Sequence, residues 1–159
     1  MNTTVTYRFC GDDSQITLDL ATASVTEVRH RGKLLTVSSG ASLFALQFRS
    51  HSGETRRFDA GNCPFVSFDG ACATYENDLL TVRLRLHADG DALLLRLEAD
   101  NRTDLLPEWV ELMTVEVAKK LRCEDGGTGA IVWPYNEGCL VSDMSLREKM
   151  PFAYREPVY

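Results

Sequence analysis

The chain reads as all-β, an antiparallel β-sandwich, and three features of its sequence predict this. The first is Asn77 to Asp104, NDLLTVRLRLHADGDALLLRLEADNRTD, where two long alternating segments meet at a tight Asp-Gly-Asp connection. Val82, Leu84 and Leu86 fall on one face, with Thr81, Arg83, Arg85 and His87 on the other, and Leu93, Leu95, Leu97 and Ala99 repeat the pattern. A period of two sends alternate side chains to opposite faces, which implies strands with one buried face. The turn residues imply a hairpin. The second feature is that most other segments are short and bounded by Gly, Asp or Pro. The third is the scarcity of helical pattern: only Met144 to Met150 (MSLREKM) has helical composition, and it is too short to stand alone.

Taken in order, Val5 to Phe9 and Gln15 to Leu20 alternate around a Gly11 to Asp13 turn. Val25 to His30 and Lys33 to Val37 flank Arg31-Gly32, a second hairpin signal. In Leu43 to Arg49, Leu43 and Ala45 oppose Phe44, Leu46 and Phe48, so both faces are apolar and the strand is expected between layers. Thr55 to Asp59, Phe65 to Phe68 and Cys72 to Tyr75 are shorter strands, separated by Gly61, Pro64 and Gly70. After the central hairpin, Trp109 to Ala118 (WVELMTVEVA) is β-branched enough to favour a strand, with a short helix as the alternative. Gly126, Gly127 and Gly129 make a turn before strands at Ala130 to Trp133 and Gly138 to Val141. About a dozen short strands with polar turns give a sandwich or barrel.

The expected organisation is a β-sandwich domain over 1–143 and a connection over 144–159 toward a following domain. The end, PFAYREPVY, sets Phe152, Tyr154, Val158 and Tyr159 around Pro151 and Pro157, with no turn back to the sheet. An extended apolar piece of this kind needs a surface to pack on.

At 159 residues the chain suits one domain, and such a domain buries roughly 70% of its unfolded surface without staples. Seventeen Lys and Arg against 23 Asp and Glu leave a net charge of −6, which argues against nucleic acid or an anionic membrane as partner. The basic pairs Arg56-Arg57 and Lys119-Lys120 read as solvated positions. No apolar stretch approaches the ~20 residues of a membrane span. The start, MNTTVTYRFCGDDSQ, lacks the charged leader and apolar run of a secretory signal. Cys10, Cys63, Cys72, Cys123 and Cys139 are odd in number, without CxxC spacing, and are expected reduced and mostly buried. A cytoplasmic location is the expectation; a removed leader would make the protein secreted or periplasmic. Neither a metal site nor a cofactor is expected, since no four convergent ligands can be assembled locally.

No hydrolytic set appears. His30, His51 and His87 fall at strand ends or on polar faces and read as solvent-facing. The run DGGTG at Asp125 to Gly129 lacks the Gly-Lys-Ser/Thr ending of a phosphate cradle and reads as a turn. Asp12, Asp13, Asp89 and Asp91 flank turns, where Asp serves local hydrogen bonding. Chemical character concentrates in Trp133, Pro134, Tyr135, Asn136, Glu137 and Gly138. Flat rings stack on pyranose faces while Asn and Glu bond hydroxyls, so Trp133, Tyr135, Asn136 and Glu137, joined by Trp109, are the candidate carbohydrate contacts. Pro134 ending a strand, Gly138 in a turn and aromatics covering an edge or seam explain the same residues structurally.

The order of LRLEADNRTD, WVELMTVEVA, a glycine-rich turn and IVWPYNEGCLVSD resembles the N-terminal region of large multidomain glycoside hydrolases. There a galactose-mutarotase-like β-supersandwich precedes a catalytic (β/α)8 barrel. The matching turns are Asn-x-Thr-Asp at Asn101, Thr103 and Asp104, and Pro-x-x-x-Gly at Pro134 and Gly138. The resemblance spans 77–143 in motif and the first half only in strand pattern. A complete supersandwich is longer, so the chain corresponds to part of one or a compact version. True mutarotases carry a catalytic histidine in a His-x-Tyr-Phe-like segment soon after the first turn; LLPEWVELMTVEV has none, and epimerase chemistry is not carried over.

The resemblance implies a non-catalytic accessory module that supports a catalytic barrel in the same polypeptide and lends a carbohydrate contact. The alternatives are a stand-alone carbohydrate-binding sandwich using Trp133, Tyr135 and Trp109, or a mutarotase-like epimerase using His30 or His87 beside a carboxylate.

Overall fold

The computed structural model describes residues 3–35, 41–114, 131–133 and 139–141. The chain divides into two compact units, Met1–Val117 and Ala118–Tyr159. Every described element is a strand, and every pairing is antiparallel, as the alternation predicts.

In the first unit the strands are β1 (Thr4–Phe9), β2 (Ser14–Asp19), β3 (Ser24–His30), β4 (Lys33–Leu34), β5 (Ala41–Ser42), β6 (Phe44–Arg49), β7 (Thr55–Phe58), β8 (Phe65–Phe68), β9 (Cys72–Glu76), β10 (Leu80–Asp89), β11 (Ala92–Asn101) and β12 (Leu106–Leu112). They form three sheets: β1-β2-β3-β4 with β5 also on β3, then β11-β10-β9-β8, and β12-β6-β7. In the second unit β13 (Ile131–Trp133) pairs with β14 (Cys139–Val141). Residue 37 of the strand expected from Lys33, the region 115–130 and the helical-looking 144–150 lie outside the described residues.

The turns follow their residue chemistry. His30 faces Lys33 in the register, so Arg31 and Gly32 alone make the β3–β4 loop, with φ of 47° and 75°. Two positive φ values are the signature of a type I′ hairpin turn, whose twist suits the strands it joins. At the central hairpin Asp89 faces Ala92, leaving Gly90-Asp91 as the loop, with positive φ at Gly90 (55°) only. That is the type II′ arrangement, in which glycine takes the first central position.

One apolar cluster draws on all three sheets: Ile16, Leu18 and Val25 from the first, Tyr75, Val82 and Leu84 from the second, Phe44, Phe48 and Phe58 from the third. Sheets sharing one core across their inner faces make this a β-sandwich. Val82, Leu84 and Leu86 are buried as predicted, whereas on β11 Leu93, Leu95 and Leu97 are only partly buried and Ala99 is exposed. β11 is the last strand of its sheet, and an edge has a neighbour on one side alone. Leu43 and the first three residues of β6 form a consecutive buried run, Leu43 to Leu46, and β6 lies central in its sheet, matching its two apolar faces.

Tyr75 ties the layers together. Its ring lies 4.9 Å from that of Phe44 and 5.8 Å from that of Phe65, and its hydroxyl donates to Leu20 O across 2.9 Å. Burial, with the negative charge of Asp19 adding to it, pushes the phenol pKa well up, so the hydroxyl keeps its proton. Tyr7 is the contrast: its hydroxyl oxygen is buried, with no hydrogen-bond partner among the described residues.

Phenylalanine substitutions should therefore act in opposite directions. Tyr75→Phe strips a donor from a buried carbonyl that otherwise accepts from Ala23 N–H at 3.3 Å, and should cost about 1–2 kcal/mol. Tyr7→Phe removes a desolvated hydroxyl with nothing to lose, and should raise stability by up to about 1 kcal/mol. Urea unfolding midpoints read both. Gly90→Ala, at a positive φ with open space around it, should cost about 1–2 kcal/mol through backbone strain alone.

Candidate functional site

The residues with the most functional character lie on the outward face of β12-β6-β7. Paired residues on neighbouring strands share a face, and Phe44, Leu46 and Phe48 take the core side of β6, so Gln47 and Arg49 point out. Trp109 faces Gln47 from β12 and Arg57 faces Gln47 from β7, which sets all three in one row. The register slips between Pro107 and Trp109, leaving Glu108 as an extra residue. This β-bulge re-aims Glu108 beside Trp109 on the outer face. There Gln47 Nε2 donates to Glu108 Oε2 at 2.7 Å and Arg49 Nε to Oε1 at 2.8 Å.

Trp109 is 36% exposed, and the Arg57 guanidinium lies over its ring, 5.3 Å from the centroid. Arg57 also reaches Asp59 through Nε and Glu111 through Nη2, each at 3.4 Å. Thr114 Oγ1 donates to Glu111 Oε1 at 2.6 Å, which orients that carboxylate. Arg56 and Arg57 are thus exposed but engaged: Arg56 lies over the Phe58 ring at 5.4 Å. Both are solvent-exposed, as the sequence implies; Arg56 meets a ring two residues along its own strand, and Arg57 meets Trp109 across the sheet.

Three carboxylates, Glu108, Asp69 and Asp19, have pKa values lowered by their hydrogen-bond donors. Hydrogen bonds from Gln47 and Arg49 keep the Glu108 pKa below its ordinary value. The backbone N–H groups of Ala71 and Cys72 do the same for Asp69. At Asp19, burial pushes the other way, but donors from Thr22, Ala21 and Thr3 outweigh it.

Of the candidate contacts predicted from sequence, Trp109 belongs to the first unit and Trp133 to the second, where its backbone faces Cys139 in β13–β14. Tyr135, Asn136 and Glu137 lie outside the described residues. Glu108, Gln47, Arg49 and Arg57 were missed as neighbours of Trp109. Gln47, Arg49 and Arg57 reach Trp109 through strand pairings across some 50 to 60 positions, while Glu108 precedes it in the chain and is turned to the same face by the bulge.

The turn matched at Asn101 and Thr103 is built as a local hydrogen-bonding unit. Asn101 Oδ1 accepts from Thr103 N–H at 3.0 Å and Thr103 Oγ1 at 2.7 Å, while Asn101 Nδ2 donates to Leu105 O at 2.8 Å. These bonds satisfy the chain reversal, so the motif has a structural reason by itself. His30 Nδ1 lies 2.8 Å from Ser14 Oγ, but Ser14 is buried, which leaves its oxygen shielded from a substrate. His51 and His87 are exposed. Cys63 and Cys72 are buried, Cys10 is half-buried, and burial raises the Cys63 pKa, keeping its thiol protonated. Among the described residues, no group of three or more His, Cys, Asp or Glu could hold a metal ion. Among them, too, no helix is long and apolar enough to cross a membrane.

The inner side of β12 is also informative. Val110 and Leu112 face Leu46 and Phe44 in the register, which puts them on the core side of the sheet. Yet they are 53% and 41% exposed. Comparison with protein families, with characterised proteins and with solved structures finds no match to this chain.

The depressed carboxylates set a pH dependence. An unfolded Glu or Asp titrates near pH 4, and a group with a lower folded value stabilises the fold fully above that pH. The contribution of Glu108, Asp69 and Asp19 should hold at neutral pH and disappear as the pH falls below about 4 through their folded values. Urea midpoints measured at neutral and acid pH should fall on acidification, and by less in Glu108→Gln.

Proposed function

We propose that this chain is a non-catalytic β-sandwich module of a carbohydrate-active enzyme, an accessory domain of a glycoside hydrolase. It supports a catalytic barrel carried by the same polypeptide and offers a sugar contact on the outward face of β12-β6-β7. The observation that carries the reading is Trp109: an exposed indole flanked by Glu108 and Gln47 on a sheet face. A pyranose presents an apolar face to such a ring and hydroxyls to such a rim, and a carboxylate held ionised accepts hydroxyl hydrogen bonds well. The exposed Val110 and Leu112 on the core side of β12 support the accessory role, since they offer an apolar strip to a neighbouring domain. The sequence resemblance over 77–143 supplies the enzyme class.

The chain should bind neutral oligosaccharides and turn over none. Titration with cellohexaose, xylohexaose and mannohexaose should change tryptophan fluorescence, and Trp109→Ala should weaken binding by roughly tenfold, about 1.4 kcal/mol. A flat response to all three sugars would overturn the sugar contact. The polypeptide is expected to carry a barrel after this module. Its absence from the full reading frame would leave the stand-alone binding module in place of the accessory domain.

A further inference from the structure

We propose that Arg57 is a built-in competitor for the Trp109 ring, so that sugar binding at this face requires displacement of its guanidinium. The inference rests on the sugar contact proposed above and adds how that contact is controlled. Arg57 and Trp109 stand on strands two apart in the sheet, with Gln47 between them. Neighbouring strands lie about 4.8 Å apart, so the arginine side chain must stretch over Gln47 to reach the indole. Holding a long side chain extended costs rotamer entropy, which three contacts offset: the ring, Asp59 and Glu111.

The guanidinium centre sits 5.3 Å from the ring centroid. A pyranose stacked on that face would fill the same volume, so the two occupants exclude each other. Both ion pairs are 3.4 Å long, and the Arg57 side chain is 46% exposed. Contacts of that kind hold weakly and are screened by salt, so the cover can be lifted. The chemistry selects for a neutral sugar. Displaced, Arg57 gives up Asp59 and Glu111, and those uncovered carboxylates would repel an anionic ligand. Affinity for a neutral sugar should therefore rise with ionic strength, the reverse of a contact made through charge.

The chain holds two tryptophans, so Trp133→Phe leaves Trp109 as the sole indole reporter. In that background Arg57→Gln should raise quenching by the neutral probe succinimide. It should also tighten cellohexaose, xylohexaose or mannohexaose binding roughly two- to fivefold, the range of an exposed cation–π contact. Raising NaCl from about 0.02 M to about 0.5 M should strengthen binding to the parent and leave Arg57→Gln unmoved. Calorimetry on the chain with both tryptophans makes the same comparison if Trp133→Phe perturbs the fold.

Equal sugar affinity in parent and Arg57→Gln would overturn the competition and leave the sugar contact standing. Weaker binding in Arg57→Gln would make Arg57 a ligand contact and overturn it as well. No binding by either protein would remove the sugar contact and the competition together.

Discussion

Three sheets can share one core only if something fixes their spacing, and Tyr75 is placed to do so. Its ring touches Phe44 of β6 and Phe65 of β8, while its hydroxyl crosses to Leu20 O beside the β2–β3 turn. Apolar packing is non-directional and would tolerate small slips between layers. A buried hydrogen bond is directional, and breaking it leaves a desolvated carbonyl, so it selects one arrangement. That same turn is secured by Asp19, which accepts from Ala21 N–H, Thr22 and Thr3. The anchor and the turn it grips are therefore braced as one unit.

The third sheet shows how the two sides of one strand layer acquire different roles. Its inner side feeds Phe44, Leu46, Phe48 and Phe58 into the core. Its outer side carries charges that pair with one another across strands: Arg49 with Glu108, and Arg57 with Asp59 and Glu111. Trp109 lies among them, exposed but with the Arg57 guanidinium over its ring. Pairing at the surface adds little to stability, but it determines what the surface presents to a ligand.

The edges of this sheet differ for the same reason. Strand β7 ends the sheet with Arg56 and Arg57, one lying over Phe58 and the other reaching Trp109. Charged side chains on an edge discourage further pairing. Strand β12, at the opposite edge, bears Val110 and Leu112 on its core side, both well exposed. One edge carries charged side chains and the other exposes Val110 and Leu112.

Strand identity was legible in the sequence because a period of two is a local property. The central hairpin, with its Gly90-Asp91 turn and the inward set Val82, Leu84 and Leu86, came from residues next to each other in the chain. So did the two-faced burial of Leu43 to Leu46 and the Arg31-Gly32 turn. The Asn101–Thr103 turn was legible as a motif, and its hydrogen bonds give that motif a structural cause. Trp109 was legible as an aromatic worth weighing, but its company was not. Glu108 came beside it through a bulge, and Gln47 and Arg57 came through registers that alternation alone cannot set. Periodicity fixes which way a side chain points from its own strand. Only the closing of distant strands into sheets decides which other side chains it meets, because that choice is made by the packing of the whole core.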